Sequence, residues 1–344
     1  MAKSRPTIDD IASKAGVSRG AVSFALNGRP GVSEATRARI IEVARQLDWS
    51  PNSAARALSG AKTDVIGLVI ARPAKTLSVE PFFSMLISGI QAGLSAAKVA
   101  LQMQIVEDSA AEIATYRRWW NENRVDGVIL IDLMESDPRI PVLEELSMPA
   151  VVAGGPGEHG HLASVWADDR AAMVSVVDYL AAIGHRRIGH ISGLPGFQHT
   201  QQRLGALADS AQRLGLPAIE SVPTDFSDSA GAAATRHLLS RQERPTAIIY
   251  DNDVMALAGL GIATEMNISV PRELSIVSFD DSALTKLTNP AITSLTGDTF
   301  NFGHQVSKAL LRIIADPTAT ASLQLPTPVL SVRASTAPPL PAAV

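Results

Sequence analysis

Arg19, Gly20, Ser23 and Phe24 recur at the spacing of one helix face, and each offers different chemistry to the edge of a base pair. An arginine grips guanine with two donors, a serine gives or takes one hydrogen bond, and a phenylalanine touches a thymine methyl but donates nothing. Glycine lets the backbone come close. The elements needed to present these residues are legible around them. Ile8, Ile11, Ala12 and Ala15 repeat at helical spacing behind Thr7, Gly16-Val17 breaks the pattern, and Ser18 can cap a second helix that follows at once. This is a helix-turn-helix, whose second helix lies in the DNA major groove with its first turns over the bases. Phe24 lies about 200° around that helix from Val22, so it points outward while Val22 faces the core.

A third helix is expected from Ser33, with Ile40, Val43, Ala44 and Leu47 on one face, and after it comes Trp49-Ser50-Pro51-Asn52-Ser53-Ala54-Ala55-Arg56-Ala57-Leu58-Ser59-Gly60. The ordered string Gly16-Val17-Ser18, Val22-Ser23, Leu26-Asn27, Val32-Ser33, Thr36-Arg37, Pro51-Asn52, Ala55-Arg56 and Leu58 resembles the lactose-repressor family of transcriptional regulators. Looser similarity continues through Glu80-Pro81-Phe82-Phe83, Gly184-His185-Arg186-Arg187-Ile188, Asn252-Asp253-Val254-Met255 and Ser278-Phe279-Asp280-Asp281. The resemblance implies DNA contacts from Thr7, Ser18, Arg19, Gly20, Ser23, Phe24, Asn27, Ser33, Thr36, Asn52 and Arg56. It also implies a hinge helix that enters the minor groove and wedges Leu58 into a base step. Phe24 departs from the family, which usually has an arginine there, so base preference is not inherited at that position.

The charge supports a DNA contact at one end. Residues 1–60 hold nine Lys/Arg against five Asp/Glu, leaving 21 basic against 29 acidic residues in the remainder of a chain whose net charge is −4. A basic head neutralises phosphates while an acidic body stays off the duplex. The chain has no Cys, which excludes disulfides, thiol catalysis and cysteine-bound zinc, and its seven His lack metal-ligand spacing. No apolar run reaches the roughly twenty residues of a membrane span, and the start Met1-Ala2-Lys3-Ser4-Arg5-Pro6 is no secretion signal, so a cytoplasmic location is expected. A phosphate-binding loop and a nucleophile elbow are both missing, so neither an enzyme nor a cofactor is expected. A periplasmic solute-binding protein would share the body but would carry a secretion signal in place of residues 1–60.

Beyond Lys62, strand-length apolar runs alternate with helical segments: 65–70, 100–106, 127–131, 150–153, 188–191, 247–250 and 275–279. Such uncharged strands belong to parallel sheets covered by helices on both faces. The expected fold class is therefore an all-α helix-turn-helix head on an α/β body. The resemblance makes that body periplasmic-binding-protein-like, with two parallel-sheet lobes. The expected division is a head at 1–50, a hinge at 51–62, a body at 63–335 and a disordered tail at 336–344. Within the body, the N-lobe takes 63–158 and 283–318 and the C-lobe 162–282 and 319–335, with crossings near 155–165, 282–292 and 318–330.

Ligands of open parallel sheets bind beyond the carboxyl ends of the strands. Asn252 and Asp253 follow the strand ending at Tyr250, Asp280 and Asp281 follow the one ending at Phe279, and Arg203 opens a helix nearby. A carboxylate there can take paired hydroxyls or cap the next helix, and capping is expected of Asp253 and Asp281. Arg203, Asn252 and Asp280 match family positions that contact effector hydroxyls, and Phe226 matches one where a ring stacks on the ligand. Phe82 and Trp166 are further candidates, Phe82 being placed also to pack at a helix start. The resemblance thus implies a repressor of carbohydrate uptake or catabolism, released from a near-palindromic operator by a sugar-like effector. A corepressor that tightens DNA binding is the alternative. The Pro- and Ala-rich end, without heptad leucines, points to a homodimer with no helical tetramerisation device.

Overall fold

The computed structural model describes residues 6–26, 28–49, 62–156, 159–319 and 322–341. The chain divides into two compact units, Met1–Thr63 and Asp64–Val344. Among its described residues the first holds three helices, α1 (Ile8–Ala15), α2 (Arg19–Leu26) and α3 (Glu34–Gln46). Thr7 and Asp10 form a capping box that closes the first turn of α1, and Gly16 ends it at φ 65°, a left-handed conformation that glycine adopts without a Cβ penalty. Ser18 and Ser33 accept backbone N–H bonds at the starts of α2 and α3, from Ala21 and Thr36. Ile11, Ala15, Val22, Ala25, Ile40 and Val43 interlock as the core of this unit. The Arg37 guanidinium ties α3 to the end of α2, donating to the carbonyls of Ala25 and Arg29 at 2.9 and 2.8 Å.

The second unit contains two six-stranded sheets. One has the order β11-β5-β4-β3-β1-β2 and is parallel throughout, built from β1 (Val65–Ile70), β2 (Ala100–Ile105), β3 (Gly127–Leu130), β4 (Ala150–Ala153), β5 (Ala163–Trp166) and β11 (Leu323–Gln324). The other has the order β12-β10-β9-β8-β6-β7, with β6 (Ile188–Ser192), β7 (Glu220–Pro223), β8 (Ala247–Tyr250), β9 (Ser275–Ser278), β10 (Thr293–Thr296) and β12 (Val329–Ser331); only β12 runs antiparallel to its neighbour. Helices cover both sheets, so β1, β3, β8 and β9 are buried along nearly their whole length, as their apolar runs require.

The lobe boundaries differ from those expected. β5 still belongs to the first sheet, so the chain crosses after Trp166. β10 still belongs to the second, so the next crossing follows Thr296, before the helix Thr299–Ala315 packs on Pro81–Ser95 of the first lobe. β11 belongs to the first sheet, and the third crossing lies between Gln324 and Val329, inside the expected 318–330. Residues 163–166 and 323–324 therefore belong to the N-lobe, and 283–296 to the C-lobe. For the second crossing the reason is composition: Thr293-Ser294-Leu295-Thr296 has no apolar run to mark a strand, although its first three residues are buried.

The tail is also ordered further than expected, at least to residue 341. Ser335 is buried and receives the Thr293 N–H at 2.8 Å, Thr336 shares hydrogens with Tyr179 and Thr293, and the Ala337 carbonyl accepts from His185 and Ser275. These bonds satisfy the buried hydroxyls of β10 and of its neighbour β9.

Candidate functional site

A cavity of about 480 Å³ opens where the carboxyl ends of both sheets converge, within the range of small-molecule sites. Arg203, one turn into the helix Gln198–Leu214, projects into it as a buried cation. Its guanidinium lies 3.6 Å from the centroid of the Phe279 ring and reaches Asp169 at 3.0 Å and Asp251 at 3.2 Å. Asp251, directly after β8, is fully enclosed and also meets His190 at 3.1 Å and the Gly193 N–H at 2.9 Å. Burial opposes its ionisation, but Arg203 and His190 overcome that and hold the carboxyl well below its ordinary value.

A second buried arginine faces the first. Arg72, two residues past β1, forms a two-point pair with Asp132, two residues past β3, at 2.8 and 3.0 Å. Its guanidinium centre lies 4.3 Å from the centroid of the Phe226 ring, 4.8 Å from Phe197 and 5.6 Å from Phe83. Phe226 is held at φ 70° with its ring over Gly193, where any side chain would collide with it. Since Arg72 comes from the first lobe and Phe197 and Phe226 from the second, this stack bridges the lobes. The main chain crosses too: Met134 and Phe197 form an antiparallel bridge, and the Gln198 N–H donates to the Leu133 carbonyl at 2.7 Å.

Six candidates were named for this site. Arg203, Asn252, Asp280, Phe226 and Phe82 all line the cavity; Trp166 is not among its lining residues and instead sits on β5 with its carbonyl taking the Leu325 N–H. Asn252, rather than Asp253, caps the helix Asp253–Glu265: its Oδ1 accepts from the Met255 N–H at 2.8 Å and its Nδ2 donates to the Phe226 carbonyl at 3.0 Å. Asp253 is left with a buried oxygen, Oδ2, that has no hydrogen bond among the described residues. Asp281 does not cap either. Its carboxylate pairs with Arg333 at 2.7 Å and accepts from Thr285 and Thr296 at 2.8 Å each, while Ser282 caps the helix Ala283–Leu287.

Arg72, Glu80, Asp132, His199 and Phe279 also line the cavity and were not singled out. Arg72 and Asp132 obey the same carboxyl-end rule that found Asp280, and would have emerged had it been applied to β1 and β3. His199, half-buried beside Arg203, has its pKa lowered to about 4 by desolvation first and by that arginine second, so it is neutral at pH 7.

In the head, Arg19, Gly20 and Phe24 are exposed on α2 and Ser23 is half-buried there. Arg19 meets Asp9 at 2.8 Å in an open pair that a phosphate or base can displace at little cost. The Thr7, Ser18 and Ser33 hydroxyls accept backbone N–H bonds as caps; the Thr7 hydroxyl also donates to Asp10 at 2.8 Å, whereas that of Ser18 can still donate to another group. Thr36 is half-buried, its hydroxyl 2.9 Å from that of Ser33. Asn27, Asn52, Arg56 and Leu58 lie outside the described residues, as does nearly all of the expected hinge.

Residues 7–52 match bacterial regulatory proteins of the lacI family, and residues 177–336 match the periplasmic binding protein-like domain. The HTH-type transcriptional regulator CelR of Thermobifida fusca is 30% identical over 94% of this chain and 96% of its own length. A solved complex of a transcriptional regulator CelR with cellobiose is 28% identical, with a TM-score of 0.73 over 96% of this chain and all of that one. The lac repressor dimer bound to operator and an anti-inducer has the same fold, with a TM-score of 0.83 at 24% identity over 96% of this chain and 99% of that one.

Proposed function

The chain belongs to the lacI family of bacterial regulatory proteins and is a DNA-binding transcriptional regulator, and from that premise we propose that it is a homodimeric repressor of carbohydrate uptake or catabolism genes, released from its operator by a sugar bound between its lobes. The observation that carries the reading is Arg203, a buried guanidinium stacked on Phe279 and held by Asp169 and Asp251 in a cavity shared by both lobes. A clamped arginine is a preorganised donor for vicinal hydroxyls, and aromatic walls such as Phe226 and Phe82 suit the apolar face of a sugar ring. The cellobiose bound by the related regulator supports a sugar as the ligand class. The operator-bound dimer of that fold supports a two-fold arrangement on a near-palindromic site.

Release follows from linkage. A ligand that prefers one angle between the lobes shifts the population toward it, and whatever that costs in DNA affinity it costs equally in ligand affinity when DNA is bound. Calorimetry on the full chain with cellobiose, glucose and ribose tests the site. One of these is expected to bind wild type, with Arg203→Ala weakening it at least tenfold, the loss of a charged hydrogen bond of about 1.5 to 3 kcal/mol. Unchanged affinity in the variant would place the sugar elsewhere.

A further inference from the structure

Ten charged side chains line the cavity, and their balance is lopsided: Arg72 and Arg203 face eight carboxylates. Five of the eight are already committed. Asp132 pairs with Arg72, Asp169 and Asp251 pair with Arg203, Asp281 pairs with Arg333, and Asp298 caps the helix Thr299–Ala315. Both arginines are thereby neutralised. Three carboxylates remain over. Glu80 Oε1 is buried without a hydrogen bond and comes no nearer than 3.8 Å to Arg72, Asp253 Oδ2 is buried without a hydrogen bond, and the half-buried Asp280 carboxylate has no hydrogen bond or ion pair among the described residues. They also repel one another. Burial first, then charge, raises them all: Glu80 faces Asp132, Asp253 and Asp225 besides Arg72; Asp280 faces Asp253, Glu80 and Asp169 besides Arg203; and Asp253 faces Asp281, with Ser282 as its one hydroxyl partner.

Each orphaned oxygen lacks a donor. A hydroxyl supplies one without adding charge, whereas a phosphate or carboxylate would bring more negative charge into a site that cannot neutralise what it has. Two donors point the same way, because Arg72 Nη1 and Arg203 Nε are buried without a hydrogen bond among the described residues and can bond a neutral hydroxyl oxygen. Resting on the sugar reading above, we propose that Glu80, Asp253 and Asp280 form a hydroxyl-donor-selective subsite, so that the effector is an uncharged polyol and its phosphorylated and carboxylated counterparts are excluded.

The test has two arms on the full chain. In the first, without ligand, thermal unfolding at pH 8 compares wild type with Glu80→Gln and Asp253→Asn. Removing one unpaired charge from a repelling set is expected to raise the midpoint by a few degrees, ~2–4 °C per kcal/mol for a domain of this size. A midpoint equal to or below wild type in both variants would show that these carboxylates are satisfied, and would overturn the subsite. In the second arm, the midpoint shift of wild type is measured with matched sets: glucose, glucose 6-phosphate and glucuronate; ribose and ribose 5-phosphate; cellobiose and cellobionate. A shift from a neutral member and none from its anions supports the proposal, and a shift from an anion equal to or larger than that of its neutral partner overturns it. If no member shifts wild type, the sugar reading fails, and the first arm still decides whether Glu80 and Asp253 are unpaired charges in the cavity.

Discussion

Phe24 has two neighbours to serve. A Cβ built on Gly31 would come 3.2 Å from the Phe24 ring, so one edge of that ring lies against a glycine held at φ 113°, while 41% of the residue stays exposed on the outward face of α2. If the exposed part meets a thymine methyl, Phe24→Ala is expected to lose affinity mainly for operators with A·T at that step. Phe24→Arg is expected to move the preference to G·C by about 1 to 3 kcal/mol. Selection from randomised duplexes with wild type and both variants reads this out, and an identical preferred base at every position would leave Phe24 only its packing against Gly31. Asp281 supplies a prediction on pH. Burial works against its ionisation, but Arg333, Thr296 and Thr285 outweigh that and hold the carboxyl at about 2. A carboxyl lowered in the folded state contributes stability above its unfolded value near 3.8 and loses it as pH falls toward 2. Wild type is therefore expected to be more stable than Asp281→Asn at pH 5 and above, with the gap closing through that window. A gap that stays constant in acid unfolding from pH 5 to pH 2 would contradict the pairing.

At the scale of elements, the joint between the helices Pro81–Ser95 and Thr299–Ala315 ties the second crossing back to the first lobe. A Cβ at Gly89 would fall 1.9 Å from the Phe300 carbonyl oxygen, so the helices touch backbone to backbone there. Gly89→Ala is expected to cost at least the ~1 to 3 kcal/mol of overpacking, measured by denaturant unfolding; a loss within 0.5 kcal/mol would mean the helices separate freely. The legibility of the elements follows the same physics. β1, β3, β8 and β9 announce themselves because strands buried on both faces must be apolar throughout. β10 does not, since its buried Thr293 and Ser294 are satisfied by bonds to Ser335, Thr336 and the Ile292 carbonyl, a pairing over some forty residues that no local pattern carries. The late second crossing and the ordered tail have this one cause. In the cavity, single residues after strands were readable, but which of them are neutralised was not. Asn252 takes the cap expected of Asp253 because its amide also reaches the Phe226 carbonyl, a contact set by tertiary packing alone.

For the whole molecule, the proposed function couples two events: a basic head holding DNA, and ligand binding in a cleft whose lobes are bridged by the Arg72 stack and the Met134–Phe197 pairing. A coupling of this kind is typically worth about 1 to 3 kcal/mol, or 5- to 150-fold in affinity. The central claim is that the cleft ligand sets operator affinity through Arg203. The measurement that tests it is fluorescence anisotropy of a near-palindromic duplex, selected by the protein from a random pool and titrated with wild type and Arg203→Ala at fixed salt, with and without saturating cellobiose, glucose or ribose. The predicted result is that both proteins hold the duplex equally without sugar, and that one sugar releases wild type 5-fold or more while leaving the variant bound. Release of both proteins to the same extent, or of neither by any of these sugars, would contradict it.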